Sequence, residues 1–147
     1  MTENETNFLA FPPVVGSIVL FGAGYGWDAL AKARWLNQCA IHYWGDIDTH
    51  GFAILDGLRS RFTHAESLLM DRAILMAHET LWGQEESPVI HDLPRLTPEE
   101  QILYYDLRDN RIRYGLRLEQ ERIGFAFLER ALHAIGDKPR PACSYLQ

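Results

Sequence analysis

Short apolar runs alternate with amphipathic stretches over the first half of the chain. Residues 16–22 and 40–44 are continuous apolar runs rich in β-branched and aromatic side chains, which is typical of buried strands. Residues 27–37 and 52–62 carry apolar side chains at helical spacing, and residues 65–70 form a third strand-like run. The order strand, helix, strand, helix, strand predicts a parallel sheet flanked by helices, which is an α/β fold.

The C-terminal part of the chain changes character and is predicted to be helical. The predicted helices cover residues 72–82, 97–109 and 116–135. Thr97 as N-cap and Glu100 three positions later form a capping box for the second helix, and Gly136 closes the third. We therefore expect a single domain over residues 1–147, with residues 97–136 as its helical part.

Size and composition narrow the class of protein. A chain of 147 residues with 47% hydrophobic and 23% charged residues is typical of one globular domain. Its two cysteines suggest neither a disulfide framework nor a zinc knuckle, so we expect a cytoplasmic protein. No apolar run is long enough to cross a membrane. The net charge of −6 argues against a free-standing nucleic-acid binder, but a nuclease core built from carboxylates stays possible.

The most informative pattern is a pair of aspartates directly after the predicted strand at 40–44. Asp46 and Asp48 stand where ligands bind in open α/β sheets, just outside the carboxyl ends of the strands. Two carboxylates so close together repel one another, and oxygen ligands of this kind suit Mg²⁺ or Mn²⁺. Gly51 allows the following helix to begin close to the strand end. The alternative is a solvated turn in which an aspartate is only a helix N-cap.

A glycine-rich turn over residues 22–26 permits a second interpretation. It follows a predicted strand like a dinucleotide-binding loop, and Asp46 lies about 20 residues further on, like the acid that binds a ribose. Trp27, however, occupies a position where the full fingerprint requires glycine. The turn is otherwise a tight loop beside the metal, with Gly24 as a candidate phosphate contact. His50, beside the two acids, is another candidate phosphate contact.

The acidic pattern resembles that of the Toprim domain, which occurs in topoisomerases, primases and related nucleases. That domain pairs an Asp-x-Asp motif with a Glu that follows its first strand. The chain is most similar to the C-terminal, Toprim-like region of the JetD family of Wadjet defence proteins. The similar segments are ENETNFLAFP at 3–12, LFGAGYG at 20–26, YWGDIDTHGF at 43–52, SLLMD at 67–71 and RLEQER at 117–122.

The resemblance implies a function and a set of residues. It implies a Toprim-like, Rossmann-like fold and metal-dependent cleavage of DNA, as in the cleavage subunit of type IIB topoisomerases. The partners it implies are DNA, a condensin-like SMC complex that recognises closed circular plasmids, and a second copy of the chain. Glu3, Asp46 and Asp48 would hold Mg²⁺ or Mn²⁺ and carry catalysis. Glu119 or Glu121 would complete the metal site. The alternative is a solvated charged helix surface, on which Glu119 and Arg122, three positions apart, can pair.

The beginning of the chain departs from the family pattern. The strand that should precede Glu3 is expected to be missing, which would leave unpaired backbone groups that favour self-association. Two other functions therefore stay open. One is a catalytically inactive Toprim-like docking or dimerisation module, and the other is a Rossmann-like nucleotide-binding domain.

Overall fold

The computed structural model describes residues 1–22, 30 and 32–136, which form a mixed α/β chain. The strands are β1 (His42–Tyr43), β2 (Glu66–Ser67), β3 (Gly83–Gln84) and β4 (Leu116–Arg117). The α-helices are α1 (Glu5–Leu9), α2 (Thr49–Arg59), α3 (Arg72–Ala77), α4 (Pro98–Arg108) and α5 (Phe125–Gly136). Short 3-10 helices cover Arg34–Gln38, Glu79–Leu81 and Gln120–Arg122.

A strand–helix–strand unit forms the centre of the fold. β1 and β2 run parallel, with Tyr43 opposite Ser67, and α2 connects them. The predicted parallel pairing of these two segments is confirmed, although the paired strands are shorter than the apolar runs from which they were predicted. Apolar sequence marks residues that become buried, and only part of such a run needs to pair.

The start of the chain extends this parallel arrangement. Thr2 forms parallel bridges both to Phe21 and to Trp44. The Gly22 N–H donates to the Thr2 carbonyl at 2.9 Å, and the Trp44 N–H donates to the Met1 carbonyl at 2.9 Å. Residues 1–2 therefore lie between residues 20–22 and residues 42–44. The strand that precedes Glu3 was expected to be missing. Thr2 instead pairs with a segment on each side of it, at the place where that strand would lie.

The first apolar run was predicted as a buried strand, and most of it is not one. Ser17 donates its N–H back to the Val14 carbonyl in a turn, and Ile18 is 61% exposed. Gly16 adopts a positive φ of 67°, which suits a turn rather than a strand. In the predicted helix at 27–37, residues 34–38 form a 3-10 helix, while residues 27–29 and 31 lie outside the described residues.

The C-terminal predictions were partly correct. The capping box at the start of α4 is confirmed, since the Thr97 hydroxyl accepts from the Glu100 N–H and the Glu100 carboxylate accepts from the Thr97 N–H. The long helix at 116–135 was wrong. Its first residues form β4, antiparallel to β3, and α5 begins only at Phe125. Backbone pairing with distant segments outweighed the local helical pattern.

Most residues of helix α2 are buried, and the helix packs against α4. The rings of Phe52 and Tyr104 meet edge to face with centroids 6.4 Å apart. Arg59, buried near the end of α2, forms an ion pair with Glu100 of α4. Among the described residues, no helix has the length and hydropathy needed to span a membrane.

The beginning of α2 lies directly against the acidic motif. A Cβ atom on Gly51 would stand 2.1 Å from the carbonyl oxygen of Asp46, so a larger side chain cannot fit without moving the backbone. Gly57, in the same helix, has nothing within 4 Å of the equivalent position. The expectation that Gly51 lets the helix begin close to the strand end agrees with this geometry.

These two glycines should respond in opposite ways to alanine. Gly51→Ala should lower the free energy of unfolding by about 1–3 kcal/mol because it overpacks the contact with Asp46. Gly57→Ala should raise it by about 0.5–1 kcal/mol because alanine loses less backbone entropy in a helix. Urea denaturation followed by circular dichroism measures both. Equal effects of the two substitutions would contradict the packing of α2 against Asp46.

Candidate functional site

An antiparallel bridge brings the acidic motif to the C-terminal part of the chain. Ile47 donates to the Leu118 carbonyl at 2.9 Å, and Leu118 donates to the Ile47 carbonyl at 3.1 Å. Both side chains are fully buried. Because side chains alternate along an extended backbone, the two aspartates flanking Ile47 point to the face that Arg117 and Glu119 share. The bridge thus gathers four charged groups on one side.

Both carboxylate oxygens of Asp46 accept hydrogen bonds from residues 117–120. Its Oδ2 accepts from Nη2 of Arg117 at 2.6 Å. Its Oδ1 accepts from the backbone N–H of Gln120 at 2.8 Å. The first aspartate of the motif therefore holds residues 117–120 in place through both carboxylate oxygens.

Asp48 serves two purposes in the structure. Its Oδ1 accepts from the Gly51 N–H at 2.7 Å, so it is the N-cap of α2, as the alternative interpretation of the motif proposed. Its Oδ2 lies 3.4 Å from Nε of Arg117, so the same carboxylate also faces the charged cluster. Burial, and then the negative charges of Glu85 and Asp46, raise the pKa of Asp48 to about 6.

Glu3 follows the parallel bridges of Thr2 and lies beside the motif. Its Oε1 is buried and has no hydrogen-bond partner among the described residues. A Cβ on Gly45 would stand 2.3 Å from that oxygen, so Glu3 packs where only a glycine leaves room. Burial, followed by the charges of Asp46 and Asp48, raises the pKa of Glu3 to about 8. The three predicted catalytic carboxylates therefore share one electrostatic environment.

A cavity of about 230 Å³ opens onto this cluster, lined by Glu3, Asn4, Asp46, Arg117, Glu119 and Glu121. Asn4 donates to the carboxylate of Glu121. Glu119 accepts from Nε of Arg122 at 2.7 Å, so the pair predicted at this spacing is confirmed, although it lies at a 3-10 turn and not on the predicted long helix. Both of the candidate glutamates line the cavity, and the geometry does not separate them.

The predicted phosphate contacts have different outcomes. Gly24 lies outside the described residues. Nε2 of His50 lies 2.8 Å from the Ser87 carbonyl oxygen, and His50 does not line the cavity. The N–H groups at the beginning of α2 are taken by Glu85, whose carboxylate accepts from Thr49 and from the His50 backbone. A phosphate at that helix end would have to displace a buried carboxylate.

Two charged residues of this region, Glu85 and Arg117, were not predicted from the sequence. Glu85 lies outside every predicted strand and helix, and no local pattern distinguishes it from its exposed neighbour Glu86. Arg117 was noted only as part of a charged segment, because the predicted helix gave no reason to place it opposite Asp46. Its pairing depends on the bridge at Leu118, a contact between distant parts of the chain.

The carboxylate cluster has the type of ligand that a divalent cation prefers, but its oxygen atoms are not placed around a common metal position. It supplies oxygen donors, one of which is buried without a partner among the described residues, and its charges disfavour one another. These are conditions that a hard cation relieves. Within residues 1–22, 30 and 32–136, however, no three acidic, histidine or cysteine side chains are placed to hold a metal ion. Arg117 supplies the positive charge instead.

A larger cavity, of about 700 Å³, lies elsewhere, between β2, α3 and α4. Its buried polar groups already bond to one another, since Glu100 accepts from both Arg59 and Ser67. Arg72 at its edge pairs with Asp106. These pairings join secondary structure elements, and the acidic cavity remains the candidate site.

A known protein family matches most of the chain. A family model described as Wadjet protein JetD, C-terminal, matches residues 1–132. That range includes every residue that lines the acidic cavity. A search of curated proteins found no match.

The raised pKa of Glu3 predicts a specific pH dependence of stability without metal. Between its ordinary value of 4.5 and about 8, the folded protein holds a proton on Glu3 that the unfolded chain has lost. Stability from this group is thus fully present below pH 4.5 and is lost as the pH rises through about 8, by at most about 1.4 kcal/mol per pH unit. Urea denaturation in the presence of a chelator should show wild type losing stability over this range relative to Glu3→Gln.

The comparison between the two proteins isolates Glu3, because Asp48 and the Met1 amine titrate in both. Glu5→Gln, which removes the same charge from an exposed position two residues later, is the matched control and should follow the wild-type curve. A stability difference between wild type and Glu3→Gln that does not change with pH would show that Glu3 is not held in a protonated, buried state.

Proposed function

The chain belongs to the family of Wadjet protein JetD, C-terminal, and from this premise we propose that it is the Toprim-type catalytic domain of a metal-dependent DNA endonuclease. One observation carries the proposal. Glu3 and the Asp46/Asp48 pair follow neighbouring parallel backbone segments and lie in a single cluster, in which the charges of both aspartates raise the pKa of Glu3. This is the order of acids that the resemblance to the Toprim domain implies. Carboxylates at the carboxyl ends of parallel segments are also where α/β proteins place their sites.

The proposed cofactor is Mg²⁺ or Mn²⁺. Glu3, Asp46 and Asp48 would hold it, with Glu119 or Glu121 at the edge of the same cavity. When bound, the ion would stabilise negative charge on the scissile phosphate and activate the attacking water. Glu3, whose pKa is raised to about 8 by burial in the metal-free protein, would bind the ion as a carboxylate, so metal binding would release its proton. Asp48 would bind the ion through Oδ2, while its Oδ1 remains the N-cap of α2.

Charge explains why such a domain would act within a larger assembly. The chain has 14 lysines and arginines against 20 acids, and non-specific DNA binding depends mainly on basic residues that release counterions. We propose that a condensin-like SMC complex of a plasmid-defence system supplies the DNA affinity that this domain lacks. A second copy of the chain, to align two cleavage sites, is part of the same proposal.

A second function is favoured by one specific observation. Arg117 is paired with Asp46, and among the described residues no three donor side chains stand ready for a metal. The same fold could therefore be a docking module in which the acids have only a structural purpose. Response to divalent metal separates these two functions.

Removing one charge from the motif should abolish the response to metal. Asp48→Asn should keep the α2 cap, since asparagine is an equally good N-cap, but should lose Mn²⁺-induced thermal stabilisation. Asp46→Asn should lose it as well. Differential scanning fluorimetry with Mn²⁺ and with a chelator measures the shift in Tm. Both substitutions should reduce metal-dependent nicking of supercoiled plasmid by at least about a hundredfold.

Asp92→Asn is the matched control, because it removes the same charge from an exposed ion pair with Arg108. It should keep both the Mn²⁺-induced shift and the nicking activity of the wild type. Cleavage that needs no metal, or full cleavage by Asp48→Asn, would disprove the catalytic proposal. Stabilisation by a dinucleotide instead of by Mn²⁺ would favour nucleotide binding.

A further inference from the structure

Arg117 has a position that the proposed reaction does not explain. We propose that Arg117 is an internal cation that occupies the carboxylate cluster in the metal-free protein and must leave Asp46 before a divalent ion can bind. This inference rests on the proposed metal site. It adds that the protein's own guanidinium competes with the metal and so sets its affinity.

The contacts of Arg117 place it across the cluster. Its Nη2 lies 2.6 Å from Oδ2 of Asp46, and its Nε lies 3.4 Å from Oδ2 of Asp48. The same Nε is 3.9 Å from Oε1 of Glu119. One guanidinium therefore faces three carboxylates, which are the proposed ligands Asp46 and Asp48 and the candidate ligand Glu119. A positive charge in this place offsets the mutual repulsion that the acids would otherwise have in the absence of metal.

The hydrogen bonds of Asp46 show why metal and Arg117 exclude one another. Oδ1 accepts from the Gln120 N–H, and Oδ2 accepts from Arg117. The Gln120 donor belongs to a backbone segment that the Ile47–Leu118 bridge holds two residues away. A guanidinium does not lose its proton at any ordinary pH, so Arg117 cannot give up its charge. A divalent ion at Oδ2 would stand next to this positive charge, so we expect the ion pair to open by movement of the Arg117 side chain.

That movement is compatible with the fold. The side chain of Arg117 is 37% exposed, and its Nε makes no hydrogen bond among the described residues. Its backbone stays fixed because β4 pairs with β3. The guanidinium can therefore turn from Asp46 toward the open cavity while the strand remains in place. Arg122 is different, because it donates to Glu119 and to the Leu81 carbonyl, and its ion pair among the described residues is with Glu119.

The experiment is a Mn²⁺ titration of the purified protein, with free Mn²⁺ measured by electron paramagnetic resonance. Arg117→Met removes the charge but keeps an unbranched side chain, and should lower the Kd for Mn²⁺ at least about tenfold. Arg122→Met removes an equal charge from the edge of the cluster, and should change the Kd by less than about twofold. Without metal, Arg117→Met should melt at a lower temperature than the wild type, and Mn²⁺ should restore more of its stability.

A second substitution keeps the test decisive if Arg117→Met does not fold without metal. Arg117→Lys retains one positive charge but loses the fork that reaches both aspartates, so its Kd should lie between those of wild type and Arg117→Met. Circular dichroism checks the fold of each variant. Unchanged or weaker Mn²⁺ binding in both Arg117 variants overturns the proposal, and so does an equal gain in Arg122→Met.

The failure of this inference can be told apart from the failure of the proposed function. Tighter Mn²⁺ binding in the Arg117 variants, with no plasmid nicking even when the condensin-like complex is present, would support the competition and disprove the nuclease. Metal-dependent nicking, with no gain in Mn²⁺ affinity in the Arg117 variants, would support the nuclease and disprove the competition. If neither wild type nor the Arg117 variants bind Mn²⁺, both proposals are wrong.

Discussion

The candidate site depends on the pairing of Ile47 with Leu118. Its two backbone hydrogen bonds join segments 71 positions apart in the chain, and both side chains are fully buried. Because the pairing sets the register, it also decides that Arg117 faces the acidic motif and that the Gln120 N–H reaches Asp46. A shift of one residue would turn these side chains to the opposite face and dissolve the cluster.

The beginning of α2 shows how the fold accommodates so many acids. Two carboxylates meet at this helix end, since Asp48 caps it and Glu85 accepts from Thr49 and His50. The partial positive charge of a helix N-terminus and its unpaired N–H groups stabilise acids placed there. The structure thus uses a helix end and one guanidinium to hold charges that burial alone would neutralise.

The acidic motif could be identified from the sequence alone, but the residues that join it could be explained only by the tertiary structure. Asp46 and Asp48 follow an apolar run at a spacing that predicts a site, and Asp48 can also be predicted as an N-cap by residue type alone. Glu3 was named because of a resemblance to a family, and only the parallel bridges of Thr2 explain how it reaches the motif. Glu119 and Glu121 were named together, and both line the cavity.

Features that depend on near neighbours could be predicted from the sequence itself. The capping box of α4 and the strand–helix–strand order around α2 are of this kind, because they arise from hydrogen bonds and periodicity within a few residues. Only the tertiary structure decided that residues 116–117 form a strand and that Glu85 caps α2. It also decided that Arg117 balances the charge of the acids. Each of these needs a partner more than thirty positions away, and a local pattern carries no information about which distant segment will supply the hydrogen bonds or the charge.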